Sequence, residues 1–404
     1  MLNHDTIKNL SKNSNEPEWM LERRLKAFDS YQKMPMPIFK YGIGIFLDSS
    51  DICIDNIDPS KINENTITCN DKNVEILSFK EAFRKHEMLM KKYLASAVDD
   101  DKFSSLHRAF LNKGTLIIIH ENTSIEFPIE LDITSSFADM EHILIIAEEN
   151  SNATIIENIK SSKEKGGFRN SLIEIIAKEN AKISYISVQN LDADVNNFTK
   201  RTATAEKDAS INWLDCCIGS KFTQSTTSTL LNGTGAENQL LGLFLGDGNQ
   251  RFDINVETIH NAPKTTCNMH TKGVLNDNGK NVYRGLIRIQ PNAYQCKGYQ
   301  KSDTLLLGEN TETDPVPVLE IHNDDVKCGH GATVGQIDRD KIFYMTSRGL
   351  SEQQAMETII KGFFEPMLKH LKEELQNELR EEIHKRIERG ATDDNLKIAS
   401  IIEV

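Results

Sequence analysis

A spacing of just under thirty residues recurs through the middle of this chain, and it limits the available folds more than any other feature. Ile145-Ile146-Ala147-Glu148-Glu149-Asn150 returns 30 positions later as Ile175-Ile176-Ala177-Lys178-Glu179-Asn180. A turn-former, then alanine, then a β-prone run centres on Ala153, Ala181, Ala209, Ala236 and Ala293, with steps of 28, 28, 27 and 57, the last close to two periods. A fixed period of this size means stacked supersecondary units. From about Gly114 to Thr333 the units are short β-branched or apolar runs between Asn, Gly and Asp turns, for example Thr115 to Ile119, His142 to Ile146 and Lys182 to Ile186. Strand-and-turn units without helix predict a mainly β fold, a β-solenoid in which each coil closes the open edges of the last. The alanines are expected where the coil turns inward and a larger side chain does not fit.

Helical patterns flank the repeat. Ser14 to Trp19 reads as a cap and helix start, with the helix running through Tyr31 and ended by Met34-Pro35-Met36-Pro37. A second helix is expected from Ser78 to Ala97, with Phe79, Phe83, Met90 and Leu94 on one side and Asp99-Asp100-Asp101 as its stop. A third spans Ser104 to Leu111. Beyond Gln336, Asp338 precedes a short helix from Arg339 to Arg348 stopped by Gly349, and Ser351 to Gln354 forms a capping box for a helix through Phe364. Glu365-Pro366 is expected to restart that helix. An apolar stripe at four-residue spacing then runs Met367, Leu371, Leu375, Leu379, Ile383, Ile387, ended by Gly390. Such a stripe packs within its own chain or docks a partner, and packing is the commoner use. The expected organisation is an N-terminal helical region over 1–112, a β-helix core over 113–335 and a C-terminal helical domain over 336–404.

Several function classes are excluded by what the 404 residues lack. The net charge is −13 and no Lys/Arg cluster is free of acids, which argues against a nucleic-acid partner. No apolar run approaches the roughly 20 residues a membrane-spanning helix needs. Met1 to Lys12 is polar, without a signal-peptide core, so a cytoplasmic location is expected. The seven cysteines, Cys53, Cys69, Cys216, Cys217, Cys267, Cys296 and Cys328, include no CxxC pair and read mostly as small buried hydrophobes. No P-loop, GxGxxG after a strand, HExxH or GxSxG occurs. The absence of these signatures favours a scaffold over an enzyme.

One stretch concentrates metal-ligating types, Glu320 to Thr333. Cys328 and His330 are two apart, so in a strand both face one way. Thiol and imidazole suit iron or zinc, and Gly329 and Gly331 allow close backbone approach. A turn with a buried cysteine and a hydrogen-bonded histidine explains the same residues, and two ligands do not make a site.

The same stretch resembles the C-terminal signature of the SufB/SufD family, and specifically its SufD branch. The matching residues are Asp324 to Gly335, with Val326-Lys327-Cys328 and His330-Gly331-Ala332-Thr333-Val334-Gly335, then Phe343-Tyr344 and Ser347-Arg348-Gly349. His260-Asn261-Ala262-Pro263, Tyr283-Arg284-Gly285, Glu16-Pro17-x-Trp19 and Met34-Pro35-x-Pro37 are similar to family motifs as well. The resemblance implies a right-handed parallel β-helix between helical ends. It implies a non-catalytic scaffold subunit of the SUF iron–sulfur cluster assembly complex, pairing through its β-helix with a SufB-like subunit or a second copy of itself. It further implies that the C-terminal helices bind a SufC-like ABC ATPase. A transient iron–sulfur cluster at the partner interface is the implied cofactor, and a flavin has been associated with the assembled complex. SufB proteins carry Cys where Ser302 stands and Glu-His-Glu where Gly329-His330-Gly331 stands, so this chain is SufD-like. His330 and Cys328 become candidate interface ligands, with Asp324 or Asp325 as the expected acceptor for the other imidazole nitrogen.

Fold alone leaves a carbohydrate-active β-helix enzyme as the alternative. Such an enzyme needs paired carboxylates or a Ca²⁺ site on one exposed face. Asp324 and Asp325 are adjacent and would point to opposite faces of a strand.

Overall fold

The computed structural model describes residues 2–37, 39–41, 45–47, 59, 65–96, 101–135, 138–162, 167–369, 371 and 373–385. From Lys113 to Gln336 the strands alternate between two nine-stranded sheets. Each strand pairs in parallel with the strands two before and two after it, which is a β-solenoid. The solenoid is closed at its N-terminal end by two antiparallel strands. Thr66–Thr68 pairs with Ile129–Ser135, and Val74–Ser78 pairs with Lys113–Ile119.

Register gives the coil length directly. Asn152, Lys182, Ser210, Glu237, Thr266, Lys297 and Lys327 stand in one column, so successive coils take 30, 28, 27, 29, 31 and 30 residues. The hexapeptide repeat is in perfect register, with Ile145, Ile146 and Ala147 beside Ile175, Ile176 and Ala177. The alanine pattern is corrected in part. Ala181, Ala209 and Ala236 do share one buried corner position, which Ser151, Thr265 and Cys296 fill on other coils. Ala153 lies two residues past that column and Ala293 three before it; both are buried, but neither is a member.

The residue just ahead of the corner supplies the turn. Asn150, Asn180, Asp208, Gly235, Lys264 and Gln295 have φ between 55° and 77°. Asn and Asp tolerate this left-handed region better than other side chains. The asparagines also stack, with Asn150 Nδ2 donating to Asn122 Oδ1 at 3.0 Å and Asn180 Nδ2 to Asn150 Oδ1 at 2.8 Å. A left-handed turn followed by a small buried side chain is therefore what sets the period.

Helices cover both outer faces. At the N-terminal side are α1 (His4–Asn13), α2 (Glu18–Lys33), α3 (Phe79–Lys85), α4 (Glu87–Tyr93) and α5 (Lys102–Phe110). The expected single helix from Ser78 is two short ones, broken at His86. Its predicted face is correct, since Phe79, Phe83, Met90 and Leu94 are all buried. Ala97, Asp99 and Asp100 lie outside the described residues, and Asp101 starts α5 by accepting from Ser104 N–H. At the C-terminal side, α6 (Arg339–Thr346) buries no residue, and α7 (Glu352–Leu368) begins at the Ser351 capping box. Helix α7 runs through Pro366 instead of restarting there; it ends at Lys369, and helix resumes over 373–385. Ile387 and Gly390 lie outside the described residues. The stripe from Met367 to Ile383 packs with Ile360 and Phe364 on an outer sheet face made by Ile156, Ile186, Leu214, Leu243 and Val274. Among the described residues no helix is long and apolar enough to cross a membrane.

Candidate functional site at the open end of the solenoid

The C-terminal end of the solenoid has no closing strands among the described residues. Glu312–Ile321 ends one sheet and Val326–Gln336 the other, each paired along one edge. Asp338 then caps α6 and takes the chain away. An unpaired edge offers a row of backbone donors and acceptors to another strand. Val316, Val318, Ile321 and Val334 are exposed there.

Cys328 and His330 sit on Val326–Gln336 at this end, as their spacing predicts. Register places Cys328 in a column with Gly298 and Cys267, and His330 in the next column with Gln300 and Met269. Met269 and Gln300 are buried, and Gln300 Nε2 reaches across to the carbonyl of Val318 at 3.1 Å. Both columns thus face the interior. His330 is exposed because no further coil covers it. Cys328 is half-buried against the core, and burial pushes its thiol up. A Cβ on Gly298 would lie 3.2 Å from its sulfur, so the missing side chain is what gives the thiol room.

The acidic pair is corrected. Asp324 and Asp325 occupy a bend before the strand, both exposed, and Asp325 uses its carbonyl to accept from Gln295 N–H at 2.6 Å. Among the described residues neither carboxylate bonds to His330. Gly329 and Gly331 stand beside Tyr299 with ordinary backbone angles, and a Cβ on Gly331 would come within 3.3 Å of the tyrosine hydroxyl. Ser302 is buried two residues along from Gln300. Among the described residues no three His, Cys, Asp or Glu side chains are grouped to hold a metal.

Behind Cys328 lies a relay that sequence reasoning missed. Cys267 Sγ is 3.3 Å from His260 Nε2, His260 Nδ1 is 2.7 Å from Thr265 Oγ1, and Thr265 Oγ1 is 3.1 Å from Cys296 Sγ. All four residues are buried. Burial, with smaller contributions from Cys328 and Cys296, pushes Cys267 up to about 12, and burial lowers His260 to about 4. The pair is therefore a neutral thiol and a neutral imidazole, not an activated nucleophile. His260, Thr265 and Cys267 lie within eight residues around one corner, and Cys296 comes from the next coil; the corner between the two strands and the coil register are what bring them together.

Two comparisons bear on this end of the molecule. The family model described as SUF system FeS cluster assembly, SufBD core domain, matches residues 132–363. The chain belongs to the SufBD family. Relatives named iron-sulfur cluster assembly SufBD family protein include those of Staphylococcus saprophyticus, 28% identical, Staphylococcus epidermidis, 27%, and Staphylococcus aureus, 29%. Each match covers 92% of this chain and 90% of the relative. The matched core takes in the Cys267–His260 relay and the whole open end, and membership in an iron–sulfur assembly family disfavours the carbohydrate-active alternative.

The buried histidine gives this SufBD chain an acid-side weakness. An unfolded histidine titrates near 6.5, and folded His260 near 4. Between those values the unfolded chain holds a proton that the folded chain does not. Stability therefore falls as pH drops from about 6.5 to about 4, by up to ~3 kcal/mol for this group. His107, also held low by burial, acts in the same direction. Urea midpoints measured between pH 7 and 5 are expected to fall less steeply in His260→Gln than in the natural chain; parallel slopes would assign the effect elsewhere.

Proposed function

We propose that this chain is a non-catalytic, SufD-like scaffold subunit of a SUF iron–sulfur cluster assembly complex. The observation that carries the reading is the open end. It joins two unpaired strand edges, an exposed apolar rim and an inward-facing imidazole, His330, that its own chain does not complete. A SufB-like subunit or a second copy, joined strand edge to strand edge, would close the solenoid and bring further ligands to the same mouth. The cluster is cargo in this reading. His330 is the ligand this subunit presents, and Cys328 is the nearest thiol, already half-withdrawn into the core. The glycines flanking His330 and the serine at position 302 support the SufD-like assignment.

An ABC ATPase of the SufC kind is the second proposed partner, and its docking element is α6. This helix buries none of its residues, and Phe343, Tyr344 and Leu350 stand exposed on and just after it. The stripe beyond Met367 is already covered by the solenoid and is not available.

Anaerobic co-expression with a SufB-like subunit and the ATPase tests the assignment. His330→Ala is expected to leave circular dichroism and complex composition unchanged while lowering iron and acid-labile sulfide per complex severalfold. Cys328→Ser should have the same or a smaller effect. Full cluster loading in the His330→Ala complex would reduce this histidine to a structural residue, and failure of the natural chain to capture either partner would overturn the scaffold reading itself.

A further inference from the structure

The two strand edges at the open end are not equivalent. On Glu312–Ile321, Glu312 N–H donates back to the carbonyl of Gly279 at 3.2 Å, and the next even-numbered donor past the strand, His322 N–H, donates to Ile289 at 3.0 Å. Backbone groups alternate sides along a strand. The even-numbered residues therefore face the neighbouring strand Lys280–Ile289, and the odd-numbered ones face the open side. Pro315 and Pro317 are odd-numbered. Proline has no N–H, so this edge lacks two successive donors on its open side, and an added strand finds no continuous ladder there.

The other edge is whole, because Val326–Gln336 contains no proline. Lys297 N–H donates back to the carbonyl of Thr265 at 3.0 Å, and Lys327 holds the same place one coil later. The open side thus presents the backbone groups of Val326, Cys328, His330, Ala332, Val334 and Gln336. Side chains of the intervening residues form the outward row, Lys327, Gly329, Gly331, Thr333 and Gly335. Lys327 stands directly beside Lys297; both are exposed, and neither has an ion pair among the described residues, Asp324 and Asp325 included. Like charges side by side across a strand pair repel, so the column ends on two positive charges that only a further strand can offset.

A second copy is a poor source of that strand. Its own Val326–Gln336 has no acid to set beside Lys327. Its acidic edge strand is Glu312–Ile321, where Lys280 already holds Glu312 at 2.9 Å and Arg288 holds Glu320. That is the strand its prolines close. Lysine on an open edge is also a device against self-pairing.

We propose that Val326–Gln336 is the pairing edge, and that it takes an acidic strand of a different subunit, with carboxylates in the row beside Lys297 and Lys327. This rests on the scaffold reading above and adds to it which edge pairs and what chemistry selects the partner. Specificity arises from both signs of the same contact, attraction for the acidic strand and repulsion of a basic one.

Two measurements test it. The first uses the full-length chain alone with two fluorescein-labelled peptides as long as Val326–Gln336, one alternating valine with glutamate and the other valine with lysine. The glutamate peptide is expected to bind, and the lysine peptide to bind about tenfold more weakly. Lys297→Glu with Lys327→Glu should reverse that order. No binding of the glutamate peptide, equal binding of the two, or an order that the double variant keeps would overturn the proposal. The second measurement is co-purification with a SufB-like subunit. Ala332→Pro removes one donor from the open side at an exposed position, and it is expected to lose both that subunit and the glutamate peptide with circular dichroism unchanged. Ile321→Pro, exposed at the end of the other edge, should keep both. Undiminished capture by Ala332→Pro, or loss confined to a folded Ile321→Pro, would overturn the choice of edge. A stable dimer of the natural chain alone that Ala332→Pro breaks would overturn the choice of partner. Should the natural chain capture no SufB-like subunit, the scaffold reading fails, and the peptides still decide the edge and its charge preference. Should Ala332→Pro fail to fold, the double lysine variant decides.

Discussion

Cutting the chain after Leu350 is expected to yield insoluble protein. The segment removed holds α7 and the helix over 373–385, and these are the cover of one outer sheet face. Ile360, Phe364, Met367, Leu368, Leu371, Leu375, Leu379 and Ile383 are all buried, against Ile156, Ile186, Val188, Leu214, Leu241, Leu243 and Val274. A fully buried large apolar side chain contributes about 1.5–3 kcal/mol. Eight of them, together with the sheet residues they cover, match or exceed the roughly 5–15 kcal/mol by which a folded domain is stable. The contact is specific as well as oily. Lys272 Nζ donates to the Phe363 carbonyl at 2.7 Å and lies over the Phe363 ring. Sedimentation after lysis and binding of a hydrophobic dye read the outcome. A soluble truncated chain with native circular dichroism and one cooperative melt would show that the helices are an accessory and not part of the fold. The sharper probe of the proposed ATPase docking is Phe343→Asp with Tyr344→Asp in the full-length chain, since α6 is exposed and its loss of apolar surface leaves the core intact.

How far the sequence revealed the molecule depends on the range of the interaction concerned. The solenoid was legible because its cause is local: a left-handed turn and a small corner residue come back every coil, and both are visible as Asn-Ala or Asp-Ala pairs at 180–181 and 208–209. Ala153 and Ala293 misled because a buried alanine beside a turn looks the same whichever column it occupies, and column membership is set by hydrogen bonding between coils. A restart was expected at Pro366 because proline costs least in a first turn, where the N–H donors have no intrahelical acceptor; the packing of Phe364, Met367 and Leu368 on the solenoid instead holds the helix through the proline, and it ends at Lys369. The Cys328–His330 pair was legible from the alternation of a strand. Its incompleteness was not, since that follows from the strand being last in its sheet. The His260–Cys267 contact spans seven residues and depends on the corner between two consecutive strands, and its extension through Thr265 to Cys296 crosses to the next coil, so only the fold discloses it.

Charges inside the solenoid were also invisible in the sequence, and removing one of them should be the most damaging single substitution. Glu157, fully buried, stands between two buried guanidiniums on the opposite sheet. Its carboxylate is 3.1 Å from Arg169 Nη2 and 3.9 Å from Arg201 Nη2, and it accepts from Ser187 Oγ at 2.9 Å. Arg169 has a second acid in Glu141 at 3.3 Å, and Arg201 has Asp215 at 3.0 Å. Burial still raises the Glu141 carboxyl despite Arg169 and Lys113, which marks how little water reaches this ladder. Glu157→Ala leaves each arginine its other acid, Glu141 or Asp215, but takes one negative charge from the ladder and an acceptor from Arg169 Nη2 and Ser187 Oγ, a loss of about 3 kcal/mol, the low end for breaking a buried pair. Glu157→Gln keeps an acceptor without the charge and should fall between. Urea unfolding at pH 7 measures both; a loss under about 0.5 kcal/mol for Glu157→Ala, the scale of a surface change, would mean that the ladder is hydrated. Replacing the whole ladder, Glu141, Glu157, Arg169, Arg201 and Asp215, by apolar residues of similar size is expected to recover most of the loss, because paired buried charges seldom outperform packed hydrocarbon, whereas removing the arginines alone would leave Glu141 and Asp215 without their guanidiniums. What the fivefold variant should not recover is uniqueness. Ile145-Ile146-Ala147 and Ile175-Ile176-Ala177 present the same surface to their neighbours, so an all-apolar interior permits a slip by one coil, and a charge ladder that matches in a single register forbids it. Broadened amide spectra in the fivefold variant with a normal urea midpoint are the expected sign of that lost specification.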